Sequence, residues 1–244
     1  MIYAIGDIHG QLEMLRGAHD LIAKDRAQYG EASAPVVHLG DLNDRGPDSR
    51  GVIQLLIDGI AAGQPWVVIR GNHDRMFAGY LANRWHHDPH LRAELPWRHE
   101  RLGGLETLAS YGVDGSLRRN QAEVHAETLA AVPAEHIEFL NERPLWHVTD
   151  DQLFVHAGIR PGIAIESQAE NDLVWIRDGF LDDTRDHGRL VIHGHTVVDT
   201  PTNYGNRVNL DTGAGYFHPL SVAVFEGQNC FILTARGRVA LPPI

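Results

Sequence analysis

The chain has 244 residues, a formal net charge of −11 and one cysteine, Cys230. That length suits a single domain with a sizeable core, and the acidic balance argues against general nucleic-acid binding, which needs a basic surface. A lone cysteine forms no internal disulfide, which fits a reducing cytoplasm, and no apolar run is long enough to span a bilayer. Met1 leads straight into Ile2-Tyr3-Ala4-Ile5, so a signal peptide is not expected. A cytoplasmic protein without membrane partners follows; the oligomeric state is left open.

Strand and helix patterns alternate at the start. Residues 2–5, 35–39 and 66–69 read as strands, and helices are expected over 11–24 and from about 48. This β-α-β-α-β order predicts a parallel sheet with right-handed crossovers. A stretch from about 75 to 146 carries no clear strand. It is expected to form helices over 76–85, 100–111 and 133–141, as a helical insertion within one domain spanning 1–244. Further strands are expected at 153–155, 190–192, 208–210, 220–225 and 231–233, forming a second, mixed or antiparallel sheet.

Polar residues gather where the strands end. Gly6-Asp7-Ile8-His9-Gly10, Gly40-Asp41-Leu42-Asn43-Asp44-Arg45-Gly46 and Gly71-Asn72-His73-Asp74 each follow an apolar run, as do His156-Ala157-Gly158 and Gly194-His195-Thr196. Carboxylates are hard ligands able to bridge two cations, and neutral imidazole binds borderline metals. In a parallel sheet such ends face one crevice. Asp7, His9, Asp41, Asn72, His156 and His195 therefore suit a pair of divalent ions, with Asp41 as the bridge. His19, His38, His86, His87, His90, His99 and His147 are read as surface or packing residues, Trp66, Trp97, Trp146 and Trp175 as core anchors and Asp211-Thr212-Gly213 as a strand-ending turn, with His218 left unassigned. His193 is expected to point away from His195.

The five ordered motifs resemble the calcineurin-like metallophosphoesterases, most closely the bacterial and phage branch of the phosphoprotein (Ser/Thr) phosphatase family. The resemblance implies an α/β fold of two mixed β-sheets sandwiched between helical layers. It implies one ion on Asp7, His9 and Asp41 and a second on Asp41, Asn72, His156 and His195. Mn²⁺ is the first choice, and Fe or Zn also fits the ligand set. Arg45, Arg70 and Arg177 match phosphate-binding arginines, with Asn72 beside them on the substrate. His73, kept protonated by Asp44, matches the proton donor. The implied reaction is hydrolysis of phosphate monoesters, on a phosphorylated protein or a small phosphate ester, by in-line attack of a metal-bridging hydroxide.

Asn43 departs from the family pattern, which usually has an apolar residue there, and Asp74 replaces a common Glu. No motif covers the helical stretch. Hydrolysis of dinucleoside tetraphosphates by a symmetrical tetraphosphatase is the rival activity. Asp44 favours the phosphatase branch, because those enzymes often have Ala at that position. A non-catalytic metal- or nucleotide-binding regulator is the rival of another class, and a pseudoenzyme of that kind would usually lack a ligand or the acid. A dinucleotide-binding Rossmann domain is disfavoured, since Gly6–Gly10 lacks the Gly-x-Gly-x-x-Gly turn.

Overall fold

Alternation along the first strand sets the layering. The computed structural model describes residues 1–244. In β1 (Ile2–Ile5), Ile2 and Ala4 face one way and Tyr3 and Ile5 the other. Tyr3 and Ile5 pack under α1 (Leu12–Tyr29) and α2 (Ser49–Ala61), against Leu15, Ile22, Val52 and Leu56. Asp48 caps α2 by accepting a hydrogen bond from the Gly51 amide at 2.7 Å. Ile2 and Ala4 instead enter a layer between two sheets, with Val37, Leu39, Phe154, Ile192 and Val208.

The first sheet has the order β11-β10-β9-β1-β2-β3. Here β2 is Val36–His38, β3 Trp66–Val68, β9 Val222–Glu226, β10 Asn229–Thr234 and β11 Gly237–Ala240. β1, β2 and β3 are parallel, as the alternating pattern predicts. β9 pairs antiparallel with β1, so the strands expected at 220–225 and 231–233 extend the first sheet and do not belong to the second. The second sheet runs β4-β5-β6-β8-β7, from β4 (Trp146–Val148), β5 (Gln152–Val155), β6 (Leu190–His193), β7 (Thr202–Asn203) and β8 (Arg207–Asn209). β5, β6 and β8 are parallel and the edges are antiparallel, which makes this sheet mixed. Leu153, Val155 and Val191 on its outer face pack against Leu173 and Val174 of α7 (Glu170–Trp175). The result is helices, sheet, sheet, helix.

The middle stretch forms α3 (Asn72–Ala82), α4 (Gly104–Ser110), α5 (Gln121–Ala131) and α6 (Ala134–Asn141). α3 starts at Asn72, ahead of the expected boundary. Asp74 caps it, accepting from the Gly71 amide at 2.7 Å and the Leu42 amide at 2.8 Å. Trp146, taken as the end of the helical stretch, opens β4 instead. Phe77, Trp97, Leu108, Val124 and Phe139 join the same apolar cluster as Tyr3 and Ile5. No helix is long and apolar enough to cross a membrane.

Candidate active site

The donors stand where strands of both sheets end. Asp7 and His9 follow β1, Asp41 follows β2, and Asn72 and His73 open α3 after β3. His156 follows β5 and His195 follows β6. Six non-glycine residues have positive φ, and five belong here: His9 (48°), Asp41 (49°), Asp44 (72°), Arg45 (66°) and His195 (64°). Such backbone costs on the order of 1–3 kcal/mol per residue and persists where surrounding contacts over-determine it. Two contacts tie the sheets together at this point. The Asp7 carboxylate accepts from the His195 amide at 2.9 Å, and His156 Nδ1 donates to the Leu39 carbonyl at 2.8 Å. A Cβ on Gly71 would overlap Asp41 Oδ1, and one on Gly194 would overlap Asp7 Oδ1, so glycine lets the backbone close on both carboxylates.

Asp41 is common to two clusters of possible ligands, His9–Asp41–His73 and Asp41–His156–His195. His9 Nε2 lies 3.4 Å from one carboxylate oxygen and His156 Nε2 lies 3.4 Å from the other. Asn72 Oδ1 is 2.9 Å from both His156 Nε2 and His195 Nδ1. Asp7 lies outside the two clusters, but its Oδ1 is buried without a hydrogen-bond partner, as is His195 Nε2.

Tautomers follow from the outer contacts. His9 Nδ1 donates to the Asn43 carbonyl at 2.9 Å, and His156 Nδ1 to Leu39. Each neutral ring then presents its Nε2 lone pair to the cluster, the arrangement that orients metal-binding histidines. Burial holds His9 and His195 well below the ordinary imidazole range and brings His156 down to about 4. The His156 lone pair thus faces the amide oxygen of Asn72: acceptor meets acceptor with no proton between them. Burial, with repulsion from Asp211 and Asp41, raises Asp7 well above the usual carboxylate range. Burial also lifts Asp41 to about 8, against the pull of the His73 amide and Arg45. Buried oxygen and nitrogen acceptors that lack donors are compensated by cations. The donor set fits two divalent ions.

His73 and Asp44 form a pair at the side of this cluster. His73 Nδ1 donates to Asp44 Oδ2 at 2.6 Å, and Asp41 Oδ1 accepts from the His73 amide at 2.9 Å. Burial, then the charge of Arg45, keeps His73 well below the ordinary imidazole range. Arg45 Nη2 lies 3.0 Å from His73 Nε2 and its Nη1 lies 2.6 Å from His9 Nε2. Burial and the Arg45 charge both oppose the protonated His73 that the resemblance implies, whereas the Asp44 carboxylate at Nδ1 favours it. Asn43 is also accounted for. Its Nδ2 donates to Asp44 Oδ1 at 2.7 Å, a contact that an apolar residue could not make.

A cleft of about 410 Å³ opens onto the cluster, lined by Asp7, His9, Asp41, Asn72, His73 and His195 together with Arg45 and Arg177. Arg177 Nη2 lies 3.4 Å from the His195 carbonyl. Arg70 is not in this wall. Its guanidinium donates to the carbonyls of Leu140, at 3.0 Å, and Asn141 at the end of α6, and lies 3.7 Å from Glu170. In this arrangement Arg70 ties the end of β3 to α6. Asp211, read as a simple turn residue, lines the cleft, and burial raises its pKa. Arg101, Tyr216 and Trp175 line it too. Tyr216 is 54% exposed, with the Arg45 guanidinium 4.9 Å from its ring centroid. The sequence signal for Asp211 was its position just after an apolar strand run, the same one that marked Asp7 and Asp41. Arg101 and Tyr216 carried no such signal.

Comparison with known proteins agrees with this geometry. A bis(5′-nucleosyl)-tetraphosphatase PrpE, described as asymmetrical, from Anoxybacillus flavithermus is 26% identical over 93% of this chain and 88% of its own length. Among solved structures, a candidate diadenosine tetraphosphatase superposes with a TM-score of 0.61 at 19% identity, over 99% of this chain and 93% of that one. The cold-active protein-tyrosine phosphatase of a psychrophilic Shewanella gives 0.63 at 16% identity, over 99% and 80%. At these identities the two structures speak for the fold alone. The family model for calcineurin-like phosphoesterases matches residues 1–216, and the chain belongs to that family.

Proposed function

We propose that the chain is a dinuclear-metal phosphoesterase whose substrates are bis(5′-nucleosyl) tetraphosphates. The observation that carries this reading is the cleft wall. Arg45, Arg101 and Arg177 line it around the donor cluster, beside the rings of Tyr216 and Trp175. Guanidinium groups pair with phosphate oxygens through two parallel donors, and exposed aromatic faces stack on nucleobases. The PrpE relative, matched over most of both chains, supports the same substrate class.

Asp7, His9 and Asp41 would hold one ion, and Asp41, Asn72, His156 and His195 the other, with Mn²⁺ the first metal to supply. When bound, such a pair supplies Lewis acidity and a water of lowered pKa for attack on phosphorus. The chain's own residues do the rest. Arg45, held here against His9 and His73, is the guanidinium placed to turn onto a phosphate oxygen. Arg177 and Arg101 are placed to hold the flanking phosphates. Leu91, Leu95 and Leu102 keep part of the wall apolar, which strengthens those charged contacts. His73, its Nδ1 fixed by Asp44, is placed to deliver a proton from Nε2 to a leaving oxygen.

A second reading, a serine/threonine-type phosphoprotein phosphatase, is favoured by the Asp44–His73 pair. An alkoxide leaving group needs a proton, whereas a nucleotide leaves as a stabilised anion. The test is turnover by Mn²⁺-supplied protein on diadenosine tetraphosphate, phosphoserine and phosphotyrosine peptides, and p-nitrophenyl phosphate. AMP and ATP as products, at higher kcat/KM than on the peptides, are expected. A preference for the phosphoserine peptide would establish the second reading instead. No hydrolysis of any of them, with metal bound, would overturn both and leave a non-catalytic regulator.

A further inference from the structure

We propose that Trp97 and Thr107, both from the stretch that no family motif covers, are positioning residues for the proton-donating pair Asp44–His73. The inference rests on the phosphoesterase reading above.

An ionised carboxylate offers about four acceptor positions. All four directions on Asp44 are used. Oδ2 accepts from His73 Nδ1 at 2.6 Å and from Trp97 Nε1 at 2.9 Å. Oδ1 accepts from Thr107 Oγ1 at 2.6 Å and from Asn43 Nδ2 at 2.7 Å. Two of the four donors thus come from the segment between α3 and the end of α4. Thr107 acts twice, because its hydroxyl oxygen also accepts from the Asp44 amide at 2.8 Å. That one side chain holds both the backbone and the carboxylate of a residue in left-handed conformation, φ 72°.

The next residue is held from the same segment. Arg45, with φ 66°, donates its amide to the Gly103 carbonyl at 3.3 Å. Trp97 cannot easily turn away. Its ring is 4% exposed and lies 5.1 Å from Phe77 and 4.8 Å from Tyr80, centroid to centroid. With Oδ1 anchored and Oδ2 shared between two fixed N–H groups, the carboxylate has one orientation. That orientation sets the His73 ring so that Nε2 faces the cleft. Neither Trp97 nor Thr107 lines the cleft, so each acts through Asp44.

The experiment compares Trp97→Phe, Thr107→Val and Thr107→Ser with the natural sequence, all supplied with Mn²⁺. Turnover is read on p-nitrophenyl phosphate, a good leaving group, and on phenyl phosphate, a poorer one. Bound metal is measured by elemental analysis, and the His73 Nδ1 proton by NMR on the metal-free or diamagnetic Zn²⁺-supplied protein, because Mn²⁺ would broaden the signal away. Loss of acid assistance should lower kcat on phenyl phosphate by ~10-fold or more and on p-nitrophenyl phosphate by less than ~3-fold in Thr107→Val and Trp97→Phe. KM and metal content should hold, the His73 proton signal should shift or broaden, and Thr107→Ser should restore both readouts. Equal losses on the two esters, or no loss in folded variants with an unmoved proton signal, would overturn the proposal. If Thr107→Val does not fold, the same ratio and signal in Trp97→Phe decide. If the natural protein hydrolyses neither ester nor diadenosine tetraphosphate, the phosphoesterase reading fails by itself, and the His73 signal still decides whether Trp97 and Thr107 position the ring.

Discussion

Asp44 and His73 are locked together through Oδ2 and Nδ1 at 2.6 Å, with side-chain exposures of 0% and 4%. The pair lies within reach of the cation cluster but contributes no ligand through Asp44. Its chemistry and the metal chemistry can therefore be separated by mutation.

Replacing His73 by Asn removes a proton donor and keeps the polarity. Turnover on esters with poor leaving groups should fall ~10²–10⁴-fold, while metal content by elemental analysis stays near that of the natural protein. A parallel loss of metal and turnover would show that His73 acts as a ligand, as its place in the His9–Asp41–His73 cluster allows.

Asp41 faces both halves of the donor set, within 3.4 Å of His9 and of His156. Asp41→Ala should abolish hydrolysis and binding of both ions. Ligands that bind only the folded state stabilise it, by about 2.7 kcal/mol at a hundredfold excess over Kd. Chelation should therefore lower the Tm of the natural protein and leave that of Asp41→Ala unchanged. A Tm indifferent to chelator in both would count against a metal site.

Arg70 and Arg177 should part company on mutation. Arg70 spends its guanidinium on the carbonyls of Leu140 and Asn141, so Arg70→Ala should cost ~1–3 kcal/mol of stability and leave KM almost unaltered. Arg177, exposed at the cleft, should show the reverse pattern, a raised KM with little change in the denaturation midpoint. Steady-state kinetics beside urea unfolding distinguishes them.

Tyr216 offers a half-exposed ring at the cleft mouth. Base stacking on such a ring is worth ~1–3 kcal/mol, so Tyr216→Ser should weaken kcat/KM for diadenosine tetraphosphate by ~5–100-fold. Turnover on p-nitrophenyl phosphate, which carries no base, should change far less. Equal losses on both substrates would place Tyr216 with Arg45 and not with the nucleobase.

Acid sensitivity should come in part from outside the site. His38 Nδ1 donates to the Val67 carbonyl at 3.2 Å, so its Nε2 accepts from His19 Nε2 at 2.9 Å, and His19 stacks on Trp66. Burial lowers His38 to about 3 and His19 to about 4. Unfolded histidine takes up its proton near pH 6.5. Below that value the unfolded state binds more protons, so this stabilisation is complete above about pH 6.5 and is lost as pH falls toward 4 and then 3. His19→Phe keeps the stacking and removes one titrating group, so its stability should fall less steeply between about pH 6.5 and 4. Chemical denaturation at several pH values measures the slope.

Much of this was legible in the chain because strand ends are local features. Asp7, Asp41, Asn72, His156 and His195 each follow a short apolar run, and the parallel strands of the two mixed sheets deliver such ends to one place. What escaped depends on distant contacts. Nothing in residues 220–233 says which sheet they join, since an antiparallel edge fits either. Helix α5 buries only Val124 and Thr128, too few positions to show a period. Arg70 stands one residue before Gly71-Asn72-His73, yet its partners are some 70 positions away. Strand alternation would place His193 and His195 on the same face. They part because β6 ends at His193 and His195 turns left-handed, while His193 packs on Phe180.

The tie between Asp7 and the His195 amide joins positions 188 residues apart. A ribosome must release the chain at least through His195 before those two positions can meet. Hydrolytic competence would then arise only after β6 has emerged, and nascent fragments that stop before His195 would be silent toward phosphate esters.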